Sequence, residues 1–237
     1  FAELALRLAR LLEIKEKERR LSELGIKLEH QKRSLSKYFS EDLVRNIEND
    51  AIQAKPGGKH LKATMLFFDL RDSTGMAEQL DTIEFSTLLS QLFGDMLDMV
   101  DASGGSINKF TGDGFLATFG VPESIEAPEA AAVECVIKIR KYVKNANDIL
   151  EPKIQYGMGI ATGLVFAGNV GNHRKIEYTV LGDAVNVASR LEYLCKKAQR
   201  DILLDGETYD AVRAAYEWRR ILVSHIRGKT REVRVFH

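Results

Sequence analysis

The sequence predicts an α+β fold: a ferredoxin-like α/β sandwich preceded by an N-terminal coiled-coil helix. Three observations point there. Residues 1–49 contain no proline and a single glycine, Gly25, and they carry apolar side chains at heptad-like spacing. A Lys55-Pro56-Gly57-Gly58-Lys59 segment then breaks that pattern. Beyond it the periodicity runs strand, helix, hairpin, helix, strand, the order of a sandwich with helices packed on a sheet. The expected organisation is a helical, signal-transducing stalk over residues 1–55 and a folded domain over 56–237.

The stalk seam reads Ile14, Lys17, Leu21, Leu24, Leu28, Gln31, Leu35, Tyr38, with Lys, Glu and Arg elsewhere. Most seam positions are apolar, as a coiled coil requires. Lys17 and Gln31 weaken it, and Gly25 costs about 1 kcal/mol relative to alanine in a helix. Ser40 ahead of Glu41-Asp42 is a candidate helix N-cap. In the folded part, Ala63–Leu70 is expected as a buried strand and Gly75 to about Ala102 as one helix. Ser106–Phe110 and Phe115–Phe119 form a hairpin around Thr111-Gly112-Asp113-Gly114. Pro128–Ile149 is expected as a helix, and Lys153–Ile160 pairs with Leu164–Val170 around Ala161-Thr162-Gly163. Gly182–Lys197 is helical, Asp201–Leu204 a strand and Gly206–Ala215 a short helix. Glu217–Ser224 and Glu232–His237 close the chain as strands around Arg227-Gly228-Lys229.

Composition narrows the function. Lys and Arg number 34, as do Asp and Glu, so the chain lacks the basic surplus of a nucleic-acid binder. Cys135 and Cys195 belong to no CxxC pair, which argues against a zinc site and for two reduced, buried thiols in a cytoplasmic protein. No apolar run approaches the roughly 20 residues that span a bilayer. The five histidines show no ligand spacing.

The chemistry is expected at two acids. Asp69 ends a strongly apolar strand, where a carboxylate is costly without a cation or donors. Asp113 lies at the hairpin tip. If the hairpin pairs beside the first strand, both acids project from one sheet edge, a donor set suited to Mg²⁺ or Mn²⁺. Leu70-Arg71-Asp72-Ser73-Thr74-Gly75 then enters a helix whose amides can face an anion. The plain structural alternative makes Asp69 a cap for the following turn and Asp113 an ordinary turn residue.

Three blocks, in order, resemble the class III adenylate and guanylate cyclases: Leu66–Thr74 (LFFDLRDST), Gly104–Gly120 (GGSINKFTGDGFLATFG) and Tyr178–Leu191 (YTVLGDAVNVASRL). The likeness extends over about Lys59–His237. It implies an adenylate cyclase that converts ATP to 3′,5′-cyclic AMP and pyrophosphate with two Mg²⁺ or Mn²⁺ ions per site. It also implies two equivalent sites in a head-to-tail homodimer. By the same resemblance Asp69 and Asp113 are metal ligands, with the Leu70 carbonyl as a further one. Lys109 and Thr179 read the purine, Asn186 orients the ribose, and Arg190 stabilises charge on the transition state. Arg227 meets the terminal phosphates, with Ser73 and Thr74 as additional phosphate contacts. Thr179 stands where many relatives carry aspartate and is similar to the threonine-bearing class IIIb subgroup. The residue chemistry agrees: an ammonium can donate to adenine N1 and a hydroxyl can accept from N6. Asn186 and Arg190 lie four apart on one helix and so share a face. The proton acceptor stays open between Asp69, a substrate phosphate and water. The competing readings are a guanylate cyclase and a silent cyclase-like module that only dimerises or binds nucleotide. A stalk ahead of such a domain implies an upstream sensor or membrane region.

Overall fold

A computed structural model describes residues 2–36, 38, 41–49, 55–172, 174–221 and 233–237. The chain divides into two units, 1–51 and 52–237. The first holds α1 (Ala2–Ser36) and α2 (Glu41–Glu48). Helix α1 is long and charged, laced by the i,i+4 pairs Arg7–Glu3, Lys17–Glu13 and Arg19–Glu23. Leu21, Leu24 and Leu28 of its heptad seam are more than half exposed in the single chain. Lys32 bridges to Glu48 at 2.9 Å and ties α2 to α1. Ser40 lies outside the described residues, as does the Arg227-Gly228-Lys229 turn. No described helix is long and apolar enough to cross a membrane.

The second unit is the expected α+β sandwich. Its elements are β1 (Gly57–Arg71), α3 (Ser73–Gln79), α4 (Thr82–Asp101), β2 (Gly105–Phe110), β3 (Gly114–Phe119) and α5 (Pro128–Ala146). They continue with β4 (Gln155–Asn172), β5 (Lys175–Leu181), α6 (Asp183–Ala198), β6 (Ile202–Asp205), α7 (Gly206–Val212), β7 (Arg220–Ile221) and β8 (Val235–Phe236). Among the described residues one sheet runs β2-β3-β1-β4-β6-β8-β7, with β5 paired to the outer half of β4.

Alternation along β1 divides the core in two. Leu66, Phe68 and Leu70 face α4 and α5, where Phe68 stacks on Phe115 and Tyr156 and meets Phe93 edge-on. Ala63, Met65 and Phe67 face the other way, toward Ala184, Val187, Ala188 and Leu191 of α6. Helix α6 lies so close to β4 that a Cβ at Gly159 would overlap the Ala188 carbonyl and the Glu192 amide. Asp69 continues the odd-numbered series and falls on the α6 face.

Four expectations are corrected. Gly57 and Gly58 do not end the pattern but begin β1, because they pair with Asn169 and Gly168 on the extended β4. Helix 75–102 is two helices. Asp81 interrupts it by accepting from the amides of Ile83 (2.7 Å) and Glu84 (2.8 Å), while Glu84 accepts from the Asp81 amide in return. That capping box starts α4 afresh. Ala161-Thr162-Gly163 is no turn, and β4 passes straight through it. The Thr162 hydroxyl shares hydrogen bonds of 2.9 Å with Thr64 on β1 and Thr208 on α7, so the small residues fill a buried, crowded stretch of strand. Strand β5 was not anticipated. Its register with Phe166–Asn172 makes the real hairpin lie farther along the chain.

Candidate active site

Asp69 sits opposite Gly114 on β3 and Gly157 on β4. The turn from β2 to β3 is closed by Thr111 N–H donating to the Gly114 carbonyl at 2.9 Å. The Leu70 amide donates to the Asp113 carbonyl at 3.1 Å, which pins the hairpin tip against the end of β1. A Cβ on Gly114 would overlap the Phe68 carbonyl and the Asp69 carboxylate, so only glycine admits the acid there. The Ser73 hydroxyl donates to the Asp113 carboxylate and ties the start of α3 to the hairpin. Asp72 makes the bend between β1 and α3 in the left-handed region, at φ 57°. Thr74 is exposed in the first turn of α3, and the Leu70 side chain is buried in the core.

The two acids strain against each other. Burial, and then the neighbouring Asp113, push the Asp69 carboxyl up to about 6. A third acid, missed in the sequence, adds to the field. Glu192 of α6 is pushed up to about 7 by burial and then by Asp69, Arg71 counteracting and Asp113 adding to the rise. Its Oε1 lies 2.8 Å from where a Gly157 Cβ would stand. One signal was available: Glu192 follows buried Ala188 by one helical turn and so borders the inward stripe of α6.

Lys109 reaches the α6 face through a β-bulge. Ile107 pairs with Ala117, whose side chain faces α4 and α5, but Lys109 pairs with Leu116, whose side chain faces α6. The extra residue, Asn108, reverses the alternation, as bulges do. Lys109 Nζ then meets Glu177 Oε1 at 3.2 Å. Glu177 lies two residues before Thr179 on β5, so both side chains leave the same side of that strand. Thr179 is itself buried. The structure therefore brings Lys109 to the strand that carries Thr179, and it adds Glu177, which the sequence did not single out.

Asn186 and Arg190 share a face of α6. Asn186 Nδ2 donates to the Gly182 carbonyl at 3.4 Å. Arg190 has no carboxylate partner among the described residues. Within one chain and among those residues, no hydrogen bond or ion pair joins Asp69 or Asp113 to Lys109, Thr179, Asn186 or Arg190. Arg227 lies outside the described residues.

Residues 57–236 match the family described as the adenylate and guanylate cyclase catalytic domain. The chain belongs to that family. This cyclase domain is 35% identical over 175 residues to the uncharacterized protein Rv1319c of Mycobacterium tuberculosis, covering 73% of the chain and 32% of the relative. The chain thus spans about a third of the length of the curated relatives it matches. The adenylyl cyclase CyaB from P. aeruginosa superimposes with a TM-score of 0.68 at 31% identity, covering 76% of this chain and 95% of that one. The guanylyl cyclase Cya2 superimposes with a TM-score of 0.64 at 28% identity, covering 76% and 92%. Cyclases of this family use divalent metal ions, and the acids here fit such an ion. Two close carboxylates, one with its pKa raised to about 6 by burial and by the other acid, form a site that an added cation would relieve. Among the described residues no three His, Cys, Asp or Glu side chains close a protein-only cage. That leaves coordination positions to phosphate oxygens and water.

Proposed function

We propose that this cyclase domain is an adenylate cyclase, forming 3′,5′-cyclic AMP and pyrophosphate from ATP in a head-to-tail homodimer with two sites. The observation that carries the reading is the meeting of Asp69 and Asp113 at the end of β1, with no hydrogen bond or ion pair, among the described residues, from either acid to Asn186 or Arg190 of the same chain. A reaction that needs both sets is completed when one protomer supplies the acids and its partner supplies Lys109, Thr179, Asn186 and Arg190.

Asp69 and Asp113, with the Leu70 carbonyl, would hold two Mg²⁺ or Mn²⁺ ions. Such ions supply charge neutralisation for the triphosphate and acidify the ribose 3′-hydroxyl. Ser73 orients the Asp113 carboxylate through its hydroxyl, and the amide end of α3 with Thr74 faces the phosphates. Lys109 donates to adenine N1, and the Thr179 hydroxyl accepts from the N6 amine. Asn186 positions the ribose. As the 3′-oxygen bonds to the α-phosphorus and the bond to the β-phosphate oxygen breaks, Arg190 offers its fork of N–H donors to the growing charge. Arg227 contacts the leaving pyrophosphate. The 3′-hydroxyl proton goes to Asp69, a phosphate oxygen or water. Segment 1–55, which holds α1 and α2, serves as a stalk that pairs protomers and transmits a signal from an upstream sensor or membrane region, with the domain itself in the cytoplasm.

Glu177 favours a second reading. A carboxylate beside Lys109 could accept from guanine N1–H and N2–H₂, as a guanylate cyclase requires. Turnover of ATP against GTP, each with Mg²⁺ and with Mn²⁺, decides between them. Cyclic AMP as the dominant product supports the adenylate reading, and dominant cyclic GMP replaces it.

A further inference from the structure

Helix α6 carries more than Asn186 and Arg190 on its outer side. At 3.6 residues per turn, Asn186, Arg190, Tyr193 and Lys197 fall within about 60° of one another. That stripe points away from the sheet, since Ala184, Leu191 and Cys195 occupy the buried side. Asn186 and Lys197 are exposed, and Tyr193 keeps 66% of its surface in solvent. The acids of the helix stand apart from its far end: Asp183 opens α6, and Glu192 reaches over Gly157. Among the described residues neither Arg190 nor Lys197 has a carboxylate partner.

The Lys197 ammonium has a definite seat. Its Nζ lies 5.2 Å from the centre of the Tyr193 ring, within cation–π range. The stem thus leans back toward the N-terminus of α6, onto the turn that follows Arg190, as helical side chains do. Tyr193 begins that turn, about 4.5 Å along the axis from Arg190. A last-turn lysine can also serve the terminal carbonyls of its helix, but this ammonium rests on the ring instead. Lys196, its neighbour, leaves another side of the helix and lines a cleft that also holds Asp72 and Asp201.

An amide, a guanidinium and an ammonium in file on one exposed helix face are complementary to an extended anion. We propose that Lys197 is a further phosphate-binding residue of the cyclase site, its ammonium meeting the β- and γ-phosphates of the nucleotide, and that Tyr193 positions it. The inference rests on the assignment of Arg190 to the α-phosphate: a triphosphate that passes Arg190 along this stripe meets Lys197 next. As the bond from the α-phosphorus to the bridging oxygen breaks, that oxygen keeps the electron pair and leaves with the pyrophosphate. Lys197 offers ammonium N–H donors to the anion so formed.

Pyrophosphate, the phosphate end of the substrate alone, is the probe. The full chain is titrated with pyrophosphate in Mg²⁺ by calorimetry, and pyrophosphate inhibition is measured with whichever of ATP and GTP the chain turns over. Lys197→Gln should weaken pyrophosphate at least about tenfold in both measurements, the scale of one lost charge-assisted hydrogen bond, and Lys197→Arg should restore most of it. Tyr193→Leu should weaken it severalfold, whereas Tyr193→Phe keeps the ring and should hold the parent affinity. Lys196→Gln removes the same charge from the neighbouring position and should change neither measurement. An unchanged pyrophosphate affinity in Lys197→Gln overturns the proposal, and so do equal losses in Lys196→Gln and Lys197→Gln, which would reduce the effect to net charge. A parent that turns over nucleotide and gives either result loses this inference alone. A parent that binds pyrophosphate through Lys197 yet turns over neither nucleotide keeps the phosphate site and loses the cyclase reading.

Discussion

Lys109 Nζ lies 3.2 Å from Glu177 Oε1, a pair that joins strand β2 to β5 although 68 residues separate them. The contact exists only because the bulge at Asn108 turns Lys109 onto the α6 face. Both side chains are about half exposed, so the pair adds little to stability. Its consequence is for purine choice. Lys109→Glu should lower kcat/KM for ATP at least tenfold and narrow the ATP:GTP ratio by about 100-fold, the scale on which lost hydrogen-bond readout discriminates ligands. Glu177→Gln frees Lys109 and should leave ATP turnover within about threefold. Steady-state kinetics with both nucleotides check this, and a large loss in Glu177→Gln would move the adenine-reading role away from Lys109 alone.

Asp69 should trade activity against stability. Its carboxyl is raised to about 6, so the fold favours the neutral form. The unfolded chain titrates near 4. The cost is therefore absent below pH 4, grows from pH 4 to about 6 and is complete above that. Asp69→Asn removes it. After discounting for partial exposure, the variant should be more stable than its parent by about 1 kcal/mol at pH 8 without metal, with the difference gone by pH 4. Thermal unfolding in a chelator at both pH values measures this. The same variant should lose at least about 100-fold in cyclic nucleotide formation, the scale on which transition-state charge stabilisation is lost, and should gain no stability from Mn²⁺.

Glu192 should behave in the same sense over a higher window. With its carboxyl at about 7, the destabilisation enters between the unfolded value near 4.3 and 7. Glu192→Gln should therefore raise the melting temperature at pH 8 and leave it unchanged at pH 4. An equal gain at both pH values would assign the effect to packing over Gly157 rather than to charge.

Complementation tests the shared site. Asp69→Ala and Arg190→Ala should each be inactive alone. Mixed in equal amounts after reversible dissociation, half of the dimers should be hybrids with one intact site in two, so activity should return to about a quarter of the parent. Cyclic nucleotide assay of the mixture reads this directly, and no recovery, with hybrids shown to form, would refute sites built from both protomers.

Asp81 is a purely structural test. Its capping box begins α4, and Asp81→Ala should destabilise the domain by about 1 kcal/mol with no change in KM. Chemical denaturation and kinetics on one preparation check both parts.

Patterns confined to a few neighbouring residues carried most of the fold. Apolar runs marked β1, β3 and β6, Pro128 marked the start of α5, and the turn at Thr111–Gly114 placed the β2–β3 hairpin. The same local logic brought Asp69 and Asp113 to one sheet edge. It failed where small residues serve crowding rather than turning, at Gly57-Gly58 and at Ala161-Thr162-Gly163, because glycine and threonine read alike in a turn and in a strand squeezed between layers. It also missed the Asp81–Glu84 box inside an unbroken apolar stripe, where the helical period hides the restart.

The sequence by itself determined the family, the α+β class and which acids, amide and guanidinium groups are present, since each of those is written in contiguous residues. Only the tertiary structure decided which way Lys109 points, that Glu177 meets it and that Glu192 stands over Gly157 beside Asp69. Those outcomes depend on one residue inserted in a strand and on the close seating of α6 against β4. A single bulge reverses every later side chain on a strand, and no local pattern records which neighbour that reversal will find.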